Sequence, residues 1–151
     1  MFGMKITERT HLLLKDYIEP GDVCIDATLG NGNDALFLME TVGKEGVIFG
    51  MDIQEEAIRT SADLIRNHCF EVNIESIDLN KFRTQEFGDE ETNLILLKMS
   101  HEFIDEVTLP KAPKVIVFNL GFLPAGDQSI TTQSDGTIVA LDKSLNMLSG
   151  K

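Results

Sequence analysis

Asp26-Ala27-Thr28-Leu29-Gly30-Asn31-Gly32-Asn33-Asp34 decides the fold. Before it, Val23-Cys24-Ile25-Asp26-Ala27 reads as a short buried strand, and after it Leu36-Phe37-Leu38 belongs to a helix that stops near Gly43. Asn33 or Asp34 is expected to cap that helix. Gly30 and Gly32 permit positive φ and let a ligand approach the backbone closely. The turn opens on a helix N-terminus, whose free N–H groups and dipole favour an anionic group. A purely structural turn would need one glycine at most, whereas here two glycines alternate with Asn31 and Asn33. The candidate ligand residues are therefore Asp26, Gly30, Asn31, Gly32, Asn33 and Asp34. Ala35 stands where the dinucleotide motif has its third glycine, leaving only the permissive form of that pattern. Asp26 would repel a phosphate but can meet an ammonium, such as that of a methionine moiety. Asp34 has a plain alternative role as a favourable charge at a helix start.

Two further strand ends carry candidates. Val47-Ile48-Phe49-Gly50-Met51 forms the second strand and ends on Asp52, 22 residues beyond Gly30. An acid at that place can accept both hydroxyls of an adenosine ribose, with Ile53 and Gln54 beside the base; the alternative is an ordinary loop aspartate. Val115-Ile116-Val117-Phe118 is a buried strand entering Asn119-Leu120-Gly121-Phe122-Leu123-Pro124. This segment resembles the Asn-Pro-Pro-Tyr motif of methyltransferases acting on amino groups. There the asparagine oxygen and the next backbone carbonyl accept from the target nitrogen, and an aromatic ring packs on the substrate. Asn119, Leu120 and Phe122 take those places. The alternative is a simple turn, with Phe122 filling the core.

Around these motifs, helix and strand patterns alternate, as in an α/β fold with a parallel sheet. A first helix is expected over 10–18 with Leu13, Leu14, Tyr17 and Ile18 as its apolar stripe, another over 55–67, and a last one over 137–148 with Ile138, Leu141, Leu145 and Leu148 on one side. The middle is ambiguous: both 70–77, which alternates, and the apolar run 93–98 can supply the third parallel strand. The 151 residues, 42% hydrophobic and 25% charged, suit one soluble globular domain with a single core. No apolar run reaches the roughly 18 residues of a membrane span. The start has no signal or transit pattern, so a cytoplasmic location is the expectation. Cys24 and Cys69 lack metal-ligand spacing and read as reduced and structural, with no metal expected. A net charge of −12 argues against a broad nucleic-acid footprint. Lys111 and Lys114 flank one strand and could form a small basic patch, or simply a solvated edge.

Three strings, 26–34, Phe49-Gly-Met-Asp-Ile-Gln54 and Phe118-Asn-Leu-Gly-Phe-Leu-Pro-Ala-Gly-Asp-Gln-Ser-Ile-Thr-Thr132, resemble the family labelled rRNA methylase. Its members are understood as tRNA methyltransferases acting on 5-aminomethyl(-2-thio)uridine at the wobble position. The resemblance spans nearly the whole chain, and the third string is specific to that family. It implies a Rossmann-like class I methyltransferase, a mostly parallel sheet with helices on both faces. It also implies S-adenosyl-L-methionine as cofactor and a tRNA anticodon stem-loop as partner. By the same resemblance, Asn31, Asn33 and Asp34 cradle the methionine end, and Asp52 with Gln54 holds ribose and adenine. The family's third strand ends in a Gly/Ser-His pair, which Ser100-His101 matches if 93–98 is that strand and 71–89 an insertion. If 72–77 is the strand instead, Asp78 takes the adenine-side position. Met99 replaces an acid usual before that pair, and Gln128 replaces a common lysine. The family's closing strands and Gly-His motif lie beyond the position of Gly150-Lys151, so a single, C-terminally truncated domain over 1–151 is expected. Exposed sheet edges would then make a homodimer plausible. Competing readings are a methyltransferase for another amine and a non-catalytic remnant that binds the same donor. A nicotinamide-dependent oxidoreductase is disfavoured by Asp26.

Overall fold

The computed structural model describes residues 3–68, 73–75, 94–120 and 134–148. In chain order these form α1 (Ile6–Tyr17), β1 (Val23–Asp26), α2 (Asn33–Val42), β2 (Val47–Asp52), α3 (Glu55–Arg66), β3 (Asn73–Glu75) and β4 (Leu94–Lys98). A 3₁₀ helix (His101–Glu106), β5 (Val115–Val117) and α4 (Ser134–Leu148) complete the described part. The strands make one sheet in the order β3-β4-β2-β1-β5, and every pairing is parallel.

Apolar strands demand cover on both faces, and both receive it. Cys24, Ile48, Leu94 and Leu96 point to one side, where Ala35, Leu38, Met39 and Val42 of α2 and Ile58, Ala62 and Ile65 of α3 meet them. Val23, Ile25, Phe49, Met51, Ile95 and Leu97 point to the other, against Ile104, Val107 and Met147. Alternation along each strand thus divides the core into two layers.

The ambiguous middle resolves into two strands. Leu94–Lys98 lies beside β2, with Phe49 opposite Ile95 and Asp52 opposite Lys98, and so occupies the third-strand place. Asn73–Glu75 adds an edge strand outside it, so the segment between α3 and β4 extends the sheet as well as separating the two elements.

Two helix faces differ from their sequence patterns. The first helix starts at Ile6 because the Glu8 carboxylate accepts from the Lys5 backbone N–H at 3.0 Å. Its Leu13 and Tyr17 are exposed; α1 packs on the core through Leu14 and on α2 through His11, which stacks on Phe37. On α4 the expected stripe faces outward, with Ile138 64% and Leu145 68% exposed. Thr137, Ala140 and Ser144 are buried instead. Small residues admit close approach: a Cβ on Gly136 would lie 3.3 Å from the Glu102 carboxyl carbon. Lys143 then fixes the contact, donating to the Glu102 carbonyl at 2.6 Å and pairing with Asp105 at 2.7 Å.

Among the described residues no helix is long and apolar enough to cross a membrane. Burial pushes the Cys24 thiol up to about 12, which keeps it in the unreactive thiol form.

Candidate active site

Sheet order reverses at β1, which has β2 on one side and β5 on the other. Open α/β sheets bind ligands at the carboxyl ends of strands at such a switch point. The described candidate residues after β1, β2, β4 and β5 lie at that edge, and the loop after β1 is its hub. The ladder runs on past the strands: Ala27 N–H donates to the Val117 carbonyl at 2.9 Å and Leu29 N–H to Met51 at 2.9 Å. A Cβ on Gly50 would lie 2.8 Å from a Leu29 methyl, so that bare position seats the loop on the sheet.

Asp26 is fully buried. Its Oδ1 accepts from the Thr28 N–H at 3.1 Å, and its Oδ2 has no hydrogen bond among the described residues. Burial pushes its carboxyl up to about 7; the Thr28 hydrogen bond opposes this, and the nearby Asp34 and Asp52 charges add to it. Buried polar atoms are nearly always partnered, so an orphaned carboxylate oxygen among acids marks a place for a cationic group. The same acidic surroundings disfavour a pyrophosphate.

Gly32 has φ 85° and is the residue that caps α2, without a side-chain cap; the expected cap by Asn33 or Asp34 is not seen. Asp34 is instead engaged elsewhere, as described below. A Cβ on Gly32 would sit 2.8 Å from the Ser61 Cβ and 2.9 Å from its Cα. Ser61 in turn donates its hydroxyl to the Gly30 carbonyl at 3.0 Å. Gly32→Ala therefore combines left-handed strain with a backbone clash and is expected to cost about 2–3 kcal/mol, read as a lowered urea midpoint. An unchanged midpoint would contradict this packing.

The spacing between Gly30 and Asp52 becomes a contact: Asp52 Oδ2 accepts from Gly30 N–H at 3.1 Å and Oδ1 from Gln54 N–H at 2.9 Å. Ile53 and Gln54 are exposed on the rim, as are Asn31 and Asn33 on the loop. Across the switch point, Asn119 N–H donates to the Thr28 hydroxyl at 2.6 Å, and its Nδ2 donates to Asp34 Oδ2 at 3.1 Å. The other Asp34 oxygen meets His11 Nε2 at 2.6 Å. Leu120 is exposed beside Asn119, while Phe122 lies outside the described residues.

Ser100 and His101 reach the same edge with their polar atoms turned inward. The Ser100 hydroxyl caps the 3₁₀ helix, accepting from Glu102 N–H at 3.3 Å. His101 Nδ1 lies 3.3 Å from the Ala27 carbonyl and Nε2 3.2 Å from the Thr137 hydroxyl, with the ring edge-on to Phe118. A carbonyl only accepts, so the neutral ring carries its proton on Nδ1 and Nε2 accepts from Thr137. His101 thus braces the hub against β5 and α4. His11, Thr28 and Ser61 were not singled out by sequence; only Thr28, inside the quoted loop, offered a signal.

The two lysines of the suspected basic patch stand elsewhere. Lys114 N–H bonds the carbonyl of Val23, at the amino end of the sheet, and its ammonium lies over the Tyr17 ring at 4.5 Å. Lys111 faces Asp22 at 3.9 Å. Among the described residues no group of three or more His, Cys, Asp or Glu side chains is placed to hold a metal ion.

Comparison with known proteins agrees with this geometry. The family described as "Putative rRNA methylase" matches over residues 48–151. A protein of Arabidopsis thaliana named "tRNA (mnm(5)s(2)U34)-methyltransferase, chloroplastic" is 34% identical over 149 residues, 93% of this chain and 48% of the relative. The chain therefore spans about half the length of that curated relative. Among solved structures, a "putative rRNA-methylase" from Clostridium thermocellum superposes with a TM-score of 0.75 at 31% identity, covering 98% of this chain and 68% of the other. A "putative methyltransferase" from Streptococcus mutans, solved in complex with SAH, superposes with a TM-score of 0.70 at 26% identity, covering 96% and 67%. The sheet order, the two-sided helical cover and these matches agree: the chain belongs to the rRNA methylase family, with its Rossmann-like methyltransferase fold.

Proposed function

We propose that the chain is the catalytic part of an S-adenosyl-L-methionine-dependent methyltransferase that N-methylates the aminomethyl group of wobble 5-aminomethyl(-2-thio)uridine in tRNA. One observation carries the reading: Asp26, through Oδ1, and the Asn119 backbone N–H are both bonded to Thr28 of the same loop across the switch point of the sheet, with Asp26 Oδ2 left unpartnered among the described residues. The names of the Arabidopsis relative and of the Streptococcus structure with SAH support it.

The residues fit the donor. Asp26 Oδ2 would take its ammonium, and the loop backbone from Gly30 to Asp34 its carboxylate. Asp52 would take the ribose hydroxyls, with Ile53 and Gln54 beside the adenine and the inward-facing Ser100-His101 pair as the wall behind it. When bound, the donor supplies a methyl group on a positively charged sulfur, which needs little acid–base help to leave. The surrounding carboxylates of Asp26, Asp34 and Asp52 favour that cation.

The protein's task is then alignment. Asn119 directs Nδ2 to Asp34, which leaves its carbonyl oxygen to accept an N–H from the acceptor amine. The Leu120 carbonyl is a second acceptor next in the chain, and Phe122 supplies the aromatic packing surface that the motif implies. Two accepted N–H bonds fix the direction of the nitrogen lone pair.

The net charge of −12 favours a second reading, in which the acceptor amine belongs to a protein or small molecule. Incubation with isotope-labelled donor and tRNA carrying the unmethylated aminomethyluridine, followed by nucleoside mass spectrometry, separates the two. Label is expected in the methylaminomethyluridine; label in another nucleoside, or none in tRNA, would overturn the substrate assignment. A cytoplasmic location and self-association of two copies belong to the same proposal.

A further inference from the structure

Asp34 is held from two sides by elements far apart in sequence. One oxygen meets His11 Nε2 from α1 at 2.6 Å, and the other accepts from Asn119 Nδ2 after β5 at 3.1 Å. A carboxylate only accepts, so both facing atoms are donors. His11 therefore carries a proton on Nε2, and Asn119 must turn its NH₂ toward Asp34 and its carbonyl oxygen away.

His11 is itself held in place. Its ring stacks on Phe37 with centroids 4.0 Å apart and an interplanar angle of 4°. Phe37 and Asp34 stand three residues apart on α2, so one helix face offers both the stacking surface and the acceptor. With Phe37, His11 also lines a groove formed by Met4, Glu8, Leu12 and Lys15. Of the charged groups there, Glu8 is engaged with the Lys5 N–H.

We propose that His11 is a positioning residue: it holds the Asp34 carboxylate in the place from which that carboxylate turns the Asn119 amide oxygen toward the acceptor. The consequence for catalysis rests on the methyltransferase reading; the orientation of the amide does not. An amide flip changes little in shape but exchanges an acceptor for a donor, which would turn NH₂ against the N–H bonds of the incoming amine. Rotation of the Asp34 carboxylate is soft on its own, because such terminal torsions have broad minima. The short bond to a stacked imidazole removes that freedom.

The test compares His11→Phe, which keeps a stacked ring and loses the donor, with His11→Gln, which keeps a donor at similar reach. Side-chain amide signals in ¹⁵N–¹H spectra report Asn119 directly, assigned by their loss in Asn119→Ala. In His11→Phe the Asn119 pair should move to the position of a free amide, and transfer at saturating donor should fall about tenfold or more. Affinity for S-adenosylhomocysteine should hold, and His11→Gln should recover most of both losses. An unmoved Asn119 pair in His11→Phe, or equal impairment in the two variants, overturns the proposal. On the unsubstituted protein, ¹⁵N shifts of His11 should show a protonated Nε2; the other tautomer also overturns it. If the protein transfers no methyl group to tRNA while the Asn119 signals move as described, the substrate assignment fails and the positioning role stands.

Discussion

Replacing Asn119 by alanine is expected to lower methyl transfer by about two to three orders of magnitude while S-adenosylhomocysteine affinity stays within about twofold. The side chain is exposed at the carboxyl edge of the sheet and, among the described residues, bonds through Nδ2 to Asp34. Its backbone N–H bond to Thr28 is indifferent to the side chain, so the loop should keep its place in the variant. On the proposed reading, what disappears is the acceptor that directs the amine. If that reading holds, loss of the contact costs more than an ordinary hydrogen bond, because it acts where catalysis depends on alignment. Asp52→Ala should behave oppositely, weakening donor binding by about 10–100-fold and largely sparing the rate at saturation. Calorimetry with S-adenosylhomocysteine and single-turnover transfer separate the two. Normal transfer by Asn119→Ala would remove this residue from the reaction.

Asp26→Asn should change the pH dependence of stability and weaken donor binding together. Asp26 titrates near 7 in the folded chain, against about 3.8 for an ordinary aspartate, chiefly because it is buried. Its folded pKa is the higher one, so its contribution to stability is fully present below about pH 4 and is lost as pH rises to about 7. The shift corresponds to about 4 kcal/mol at alkaline pH as an upper limit. An asparagine accepts the Thr28 N–H equally well and never ionises. Urea unfolding of the ligand-free chain should therefore favour the variant by a few kcal/mol at pH 8, with a much smaller advantage at pH 5. Donor binding should suffer at pH 8, since an amide cannot neutralise an ammonium. A stability difference independent of pH would show that Asp26 is ionised throughout and already partnered. Higher stability without a ligand and lower affinity with one is the pattern of a residue kept for binding.

The sheet was legible because Val23–Asp26, Val47–Asp52 and Val115–Val117 are short apolar runs ending in turn residues, a pattern that only a sheet covered on both faces explains. The β2 acid was legible by spacing, and it proved to touch Gly30 directly. Both middle segments, 70–77 and 93–98, had strand character, and both contain a strand; what sequence could not supply was their order across the sheet. Helix faces were less legible. On α4, periodicity pointed to Ile138 and Leu145, but the small side with Gly136, Thr137 and Ala140 packs more closely, and Lys143 adds an ion pair that no hydrophobic pattern encodes. His11 was invisible for a related reason: its significance lies in a partner on α2, and nothing near it in the chain announces that partner.

The loop after β1 is bonded to a different segment at almost every residue: Ala27 to His101, Thr28 to Asn119, and Gly30 both to Asp52 and to Ser61. Grafting its sequence alone onto another strand–helix scaffold should accordingly carry no site with it. Conversely, a change at Ser61, in the middle of α3 and outside any cofactor motif, should be felt by a molecule seated at the strand tips. For anyone re-engineering this protein, the unit that can be transplanted is the whole set of four strand ends.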